Sequence, residues 1–162
     1  MILSFAAAVA VLATGSPETL EYGLPRGWRE PGRVELARAK ARGAEPQLTV
    51  SGDFDADGLG DQAMLLVNDR EQKLAIFLQR GAGGPPVRLS ERAPLDTLWN
   101  HGLAVTPAGR YPTACSRGVG ETVDCQPEAV LAAAGVSVVS QEAGRETIYW
   151  TGKGFQTVVL SD

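Results

Sequence analysis

The stretch SGDFDADGLGDQAMLLV, residues 51–67, places Asp53, Asp55, Asp57 and Asp61 within nine positions and then runs straight into apolar residues. Like charges that close repel by roughly 1 to 4 kcal/mol per pair at 4 Å, depending on the local dielectric. A hard cation among them reverses the sign of that interaction. Ca²⁺ takes roughly six to eight oxygen ligands at about 2.3–2.6 Å in a flexible shell. Carboxylates at loop positions 1, 3 and 5 turn inward as the backbone curls, which assigns Asp53, Asp55 and Asp57 to the ion. Gly58, at position 6, permits the sharp bend that a side chain resists. The Leu59 carbonyl then enters at position 7, and Asp61 at position 9 adds an oxygen directly or through water. The expected cofactor is therefore Ca²⁺, in a structural role.

An EF-hand is excluded by the residues themselves. Its loop needs a bidentate Glu at position 12, where this chain has Met64, and the AMLLV that follows is strand-like. A carboxylate-rich turn between two strands instead resembles the calcium loop of FG-GAP repeats (integrin β-propeller-like, also called VCBS-type), with the pattern D-x-D-x-D-G-x-x-D. DFDADGLGD matches every fixed position of that pattern. The likeness covers about 17 residues and occurs once, whereas a propeller is built from several blades. It implies the calcium loop and the strands around it, not a propeller. Leader, loop and closing segment together resemble small exported bacterial proteins that carry one such loop.

Other chemistry has no comparable signature. His101 is the single histidine and stands beside Trp99 and Asn100, where a structural role is expected. Neither a G-x-S-x-G elbow nor a P-loop is present. Ser116 has no identifiable base, and Glu128, Glu142 and Glu146 are not singled out as a glycosidase pair. The expected function is a calcium-stabilised binding module, not an enzyme, acting on a protein or glycan partner. Trp28, Trp99, Tyr111 and Trp150 are the aromatic candidates for that surface. The alternative is a small extracytoplasmic hydrolase with an unrecognised carboxylate pair.

The elements that position the loop follow from hydrophobic period. QLTVSG leads into the aspartates, QAMLLVN leaves them, and KLAIFLQRG returns after the polar turn DRE, an antiparallel meander with Met64, Leu65, Val67, Ile76 and Leu78 innermost. VRLSER can add a strand. EPGRVELARAKARG reads as a short helix with Pro31 near its start and Gly43 past its end. Tyr22, Leu24 and Trp28 in the approach segment are expected to anchor in the core. Residues 93–127 look least regular. RETIYW and FQTVVLS flank TGKG, a hairpin signal, with Tyr149 and Phe155 expected on one face and Trp150 on the other. The fold class is a mainly β, antiparallel meander or sandwich-like domain with one or two short helices; α+β remains open.

Composition sets the remaining bounds. The chain has 162 residues with net charge −4, which suits one globular domain and argues against a nucleic-acid partner, since phosphate binding needs a basic face. The basic residues between Arg26 and Arg42 read as a solvated helix face. Residues 1–15, MILSFAAAVAVLATG, carry no charge; the run is too short to span a bilayer, which takes about 20 apolar residues. It fits the apolar core of a secretory signal, although it lacks an early Lys or Arg, and a buried N-terminal element is the other reading. The single domain then covers 16–162. Cys115 and Cys125, with nine residues between them, fit a disulfide in a periplasmic or secreted protein.

Overall fold

The computed structural model describes residues 23–117, 126–140 and 144–160. The apolar run 1–15, Tyr22, Cys125 and Glu142 lie outside them. The chain is mainly β, as expected, with every strand pairing antiparallel.

One helix comes first, α1 (Arg33–Ala41). Glu35 reaches back to accept the Gly32 N–H at 2.9 Å, which satisfies one of the helix's orphan donors. Its end is a Schellman closure: Gly43 donates to the Lys40 carbonyl at 2.9 Å and Ala44 to that of Ala39 at 3.0 Å. Gly43 can do this because it sits at φ +78°. Only Ala39 of α1 is buried, so the basic residues of this helix are solvated.

Sheet A is a meander of β1 (Thr49–Gly52), β2 (Asp61–Asn68), β3 (Lys73–Gln79) and β4 (Val87–Pro94) in chain order. β2 and β3 read as continuous apolar runs because both of their faces are covered. Ala63, Leu65, Val67, Leu74, Ile76 and Leu78 point into the main core. Met64, Leu66, Ala75 and Phe77 point to the other side, where the Trp28 ring meets Phe77 edge-on at 5.0 Å. Arg29 forms a bridge to Val67, which pins the approach segment to the sheet. All five residues expected innermost are at most 3% exposed.

Sheet B has the order β10-β9-β8-β5, with β5 (His101–Thr106), β8 (Gly135–Ser140), β9 (Gly144–Trp150) and β10 (Phe155–Leu160). Leu103, Val136, Val138 and Ile148 meet the sheet A residues in one shared core, giving a two-sheet sandwich. A small ribbon, β6 (Gly109–Pro112) with β7 (Glu128–Leu131), packs on the outer face of sheet B at β9 and β10. On that face Thr106, Ser137 and Thr147, all fully buried, share a chain of hydroxyl hydrogen bonds of 2.5 and 2.8 Å.

Three sequence expectations need correction. Leu24 is 36% exposed and does not anchor the core; Trp28 alone does so among the described anchors. The 93–127 region is more regular than its prolines imply: a 3₁₀ turn (Leu95–Asn100) feeds β5, and its HGLAVT looks weak as a strand because only its inner face is apolar. Phe155 stands directly opposite Trp150 in the β9–β10 register, so both rings share a face and touch at 5.0 Å. Tyr149 takes the other side, against Val158 and Leu160.

Candidate metal centre

The aspartate loop is the β1–β2 connection. Gly52 pairs with Asp61 in register, so residues 53–60 form the loop and both its ends are fixed by the ladder. Phe54 is what makes it turn inward. The ring is 1% exposed and belongs to the main core. It lies where a Cβ on Gly52 would meet ring carbons at 3.0 and 3.1 Å, so a side chain before the first aspartate would crowd the ring. With Phe54 buried on one side, Asp53 and Asp55 face the other.

Asp61 is the fixed point of the site. It is 1% exposed, and each carboxylate oxygen accepts a backbone amide, Oδ2 from Phe54 at 2.9 Å and Oδ1 from Gly81 at 2.8 Å. It thus ties the loop to the end of β3. The approach is close: a Cβ on Gly81 would lie 2.5 Å from the Gly60 carbonyl oxygen and 2.9 Å from Leu59 Cβ. Within the loop Asp53 Oδ2 accepts the Gly58 N–H at 3.1 Å, and Asp57 Oδ1 accepts the Leu59 N–H at 2.8 Å. Gly58 sits at φ +83° and Ala56 at φ +63°; the second is a left-handed conformation that costs a non-glycine residue about 1 kcal/mol.

Asp53, Asp55 and Asp61 bring one carboxylate oxygen each within 4.8 Å of one another, an arrangement that could hold a metal ion. Asp53 Oδ1 and Asp55 Oδ1 are buried and accept no hydrogen bond. Burial of unpaired acceptors is costly, and more so for charged ones. The Asp55 side chain is only 9% exposed; burial first, then the charges of Asp61 and Asp57, push its pKa above the usual aspartate value, with Arg80 acting the other way. Arg80 Nε lies 3.1 Å from Asp55 Oδ2, but this buried atom has no hydrogen-bond partner. The pair therefore attracts by charge without a well-aligned N–H donor. An all-carboxylate donor set suits a hard cation.

One expected carboxylate ligand stands apart from the three converging aspartates. Asp57 is exposed at the rim, its Oδ1 engaged by the Leu59 amide. Leu59 has an exposed side chain and its amide is turned to Asp57. Sequence reasoning did not find Phe54, Gly81 or Arg80. Phe54 had a signal, since an aromatic ring among four aspartates must go somewhere dry. Gly81 and Arg80 had none, because only the β2–β3 pairing brings them to the loop.

The other candidates lie elsewhere. Cys115 sits in a 3₁₀ turn (Ala114–Arg117), and its expected partner Cys125 is outside the described residues. Ser116 donates its hydroxyl to the Thr113 carbonyl at 2.7 Å, and Glu128 is paired with Arg110 at 2.6 Å. His101 bonds the Thr97 carbonyl through Nδ1 at 2.9 Å and lines a cleft of about 240 Å³ with Trp99 and Gln47. A larger cleft of about 420 Å³ lies between α1 and the 3₁₀ turn 95–100, with Trp99 as one wall and Arg42 over its ring at 5.1 Å. Neither cleft shares a lining residue with the aspartate loop. Among the described residues no helix is long and apolar enough to cross a membrane. Comparison with known proteins gives no match to a protein-family model, a curated protein or a solved structure.

Proposed function

We propose that this chain is a calcium-stabilised binding module of the extracytoplasmic space, whose FG-GAP-type loop holds one Ca²⁺ as a structural staple. The observation that carries this reading is the convergence of Asp53, Asp55 and Asp61, with Oδ1 of Asp53 and of Asp55 buried and unpartnered. Asp53, Asp55 and Asp61 form the inner donors. Asp57, at the exposed rim, and the Leu59 carbonyl complete the shell with water as the loop tightens. The ion's role is to lock β1 to β2 and, through Asp61 and the Gly81 amide, to the end of β3. The apolar segment 1–15 and the pair Cys115 and Cys125 support an exported, disulfide-bridged protein. Its partner is a protein or a glycan.

Ca²⁺ at ten times a Kd in the range of about 10⁻⁴ to 10⁻³ M, usual for extracellular modules, stabilises by about 1.4 kcal/mol. Thermal melting of chelated protein with added CaCl₂ tests the reading. A rise in Tm that grows with the logarithm of Ca²⁺ concentration above Kd, with Mg²⁺ at equal concentration much less effective, is expected; identical melting curves with and without Ca²⁺ would overturn it.

A further inference from the structure

Arg80 follows β3 and its guanidinium lies between two features. On one side is Asp55 Oδ2, 3.1 Å from Nε. On the other is the Trp150 ring of sheet B, 5.9 Å from Cζ, near the outer limit of cation–π attraction. The ring in turn packs on Phe155, which contacts the main core. Arg80 Nε is buried and makes no hydrogen bond. An arginine held for its donor geometry would align its fork with the carboxylate; here charge alone holds it. Its neighbour Gly81 gives its amide to Asp61, so the backbone at this corner is clamped while the Arg80 side chain has two places to go.

We propose that Arg80 is the built-in counter-cation of the aspartate site: it competes with the divalent ion for Asp55 and, once displaced, moves onto Trp150, so that occupancy of the site is felt in the second sheet. This rests on the metal reading above and adds an affinity-setting residue to it. One positive charge offsets part of the repulsion among Asp53, Asp55 and Asp61 in the ion-free loop. A divalent ion on the same carboxylates repels the guanidinium, because two like-signed cations then share Asp55. Arg80 thus lowers calcium affinity while it protects the ion-free fold. The ring of Trp150 is the nearby acceptor that a released guanidinium can use without leaving the corner.

The test uses the full chain with Trp28→Phe and Trp99→Phe, which leaves Trp150 as the only tryptophan of the three present. CaCl₂ is titrated into chelated protein by calorimetry and by tryptophan emission. Trp150 emission is expected to change with a midpoint equal to the calorimetric Kd. Arg80→Met is expected to bind Ca²⁺ about tenfold more tightly, a ratio set by removing one repelling charge, and to lose the emission change. Arg80→Lys, which retains the charge, is expected to stay within about twofold of the parent Kd, and so separates loss of charge from a damaged fold. Binding by Arg80→Met that is equal or weaker, or an emission change that persists without Arg80, would overturn the role of Arg80 while leaving the calcium site standing. Absence of heat and of any Tm shift in both proteins would overturn both.

Discussion

Asp55→Asn is expected to stabilise the protein in chelator and to lose that advantage in calcium. The Asp55 carboxylate is 9% exposed and its ligand oxygen lies within 4.8 Å of those of Asp53 and Asp61. At that separation each repulsion is about 1 kcal/mol at the dielectric of water and about 3.5 kcal/mol at an effective dielectric of about 20. The attraction of Arg80 at 3.1 Å is about 1.3 to 5.4 kcal/mol on the same scale, and water weakens it further because the Arg80 side chain is 36% exposed. Two repulsions outweigh one attraction, and burial of the charge adds to the deficit. The upward shift of the Asp55 pKa has the same sign. Asparagine keeps the shape and removes the charge, so in chelator the variant is expected to gain about 1 kcal/mol, or about 2–4 °C in Tm for a chain of this size. In calcium that advantage is cancelled. An anionic ligand has become neutral, and a tenfold loss of affinity cuts the ion's stabilisation at the same concentration from about 1.4 to about 0.4 kcal/mol. Differential scanning fluorimetry in EDTA and in millimolar CaCl₂ reads both arms. A lower Tm for Asp55→Asn in EDTA would refute the claim that the ion-free cluster is internally repulsive.

Three further outcomes follow from other parts of the molecule. Gly81→Ala puts a methyl group 2.5 Å from the Gly60 carbonyl oxygen, and both partners are backbone, so a loss of about 1–3 kcal/mol is expected; a denaturation midpoint equal to wild type would contradict the close approach. Ser137→Ala removes the central hydroxyl between Thr106 and Thr147 and is expected to cost about 1–3 kcal/mol by leaving buried hydroxyls short of a partner, read as a lower urea midpoint. Glu35 is held below the usual glutamate pKa by hydrogen bonds from Arg29 and, less, from its own backbone and Gly32. A depressed folded pKa contributes stability that is present above the unfolded value, about 4.3, and is lost as pH falls through the folded one. Chelated wild type should therefore lose stability more steeply below about pH 4.3 than Glu35→Gln; parallel pH profiles would show that Arg29 does not favour the ionised form.

The sequence carried the loop and its two strands better than it carried the rest. DFDADGLGD announces itself because charge crowding and glycine placement are local, and the neighbouring strands announce themselves because QAMLLVN and KLAIFLQ are apolar on both faces. The helix end at Gly43 was legible for the same reason, a local backbone requirement. β5 was not: HGLAVT alternates weakly, and its strand character comes from pairing with β8 over the full run from His101 to Thr106. The face of Phe155 was misjudged since it depends on a hairpin register that TGKG alone leaves open. Arg80 and Gly81 reach the site across strands, so no spacing in the chain marks them. Asp57, assigned by its position in the loop, stands at the rim, while Asp61 proves to be the residue on which the loop is built.

The most direct measurement of the central claim is a crystal structure grown in millimolar CaCl₂. The account predicts a single peak bonded at about 2.3–2.6 Å to Asp53 Oδ1 and Asp55 Oδ1, with Asp61 beside it and Arg80 turned toward Trp150. Carboxylates facing bulk water with no density between them, in protein known to be folded, would contradict it.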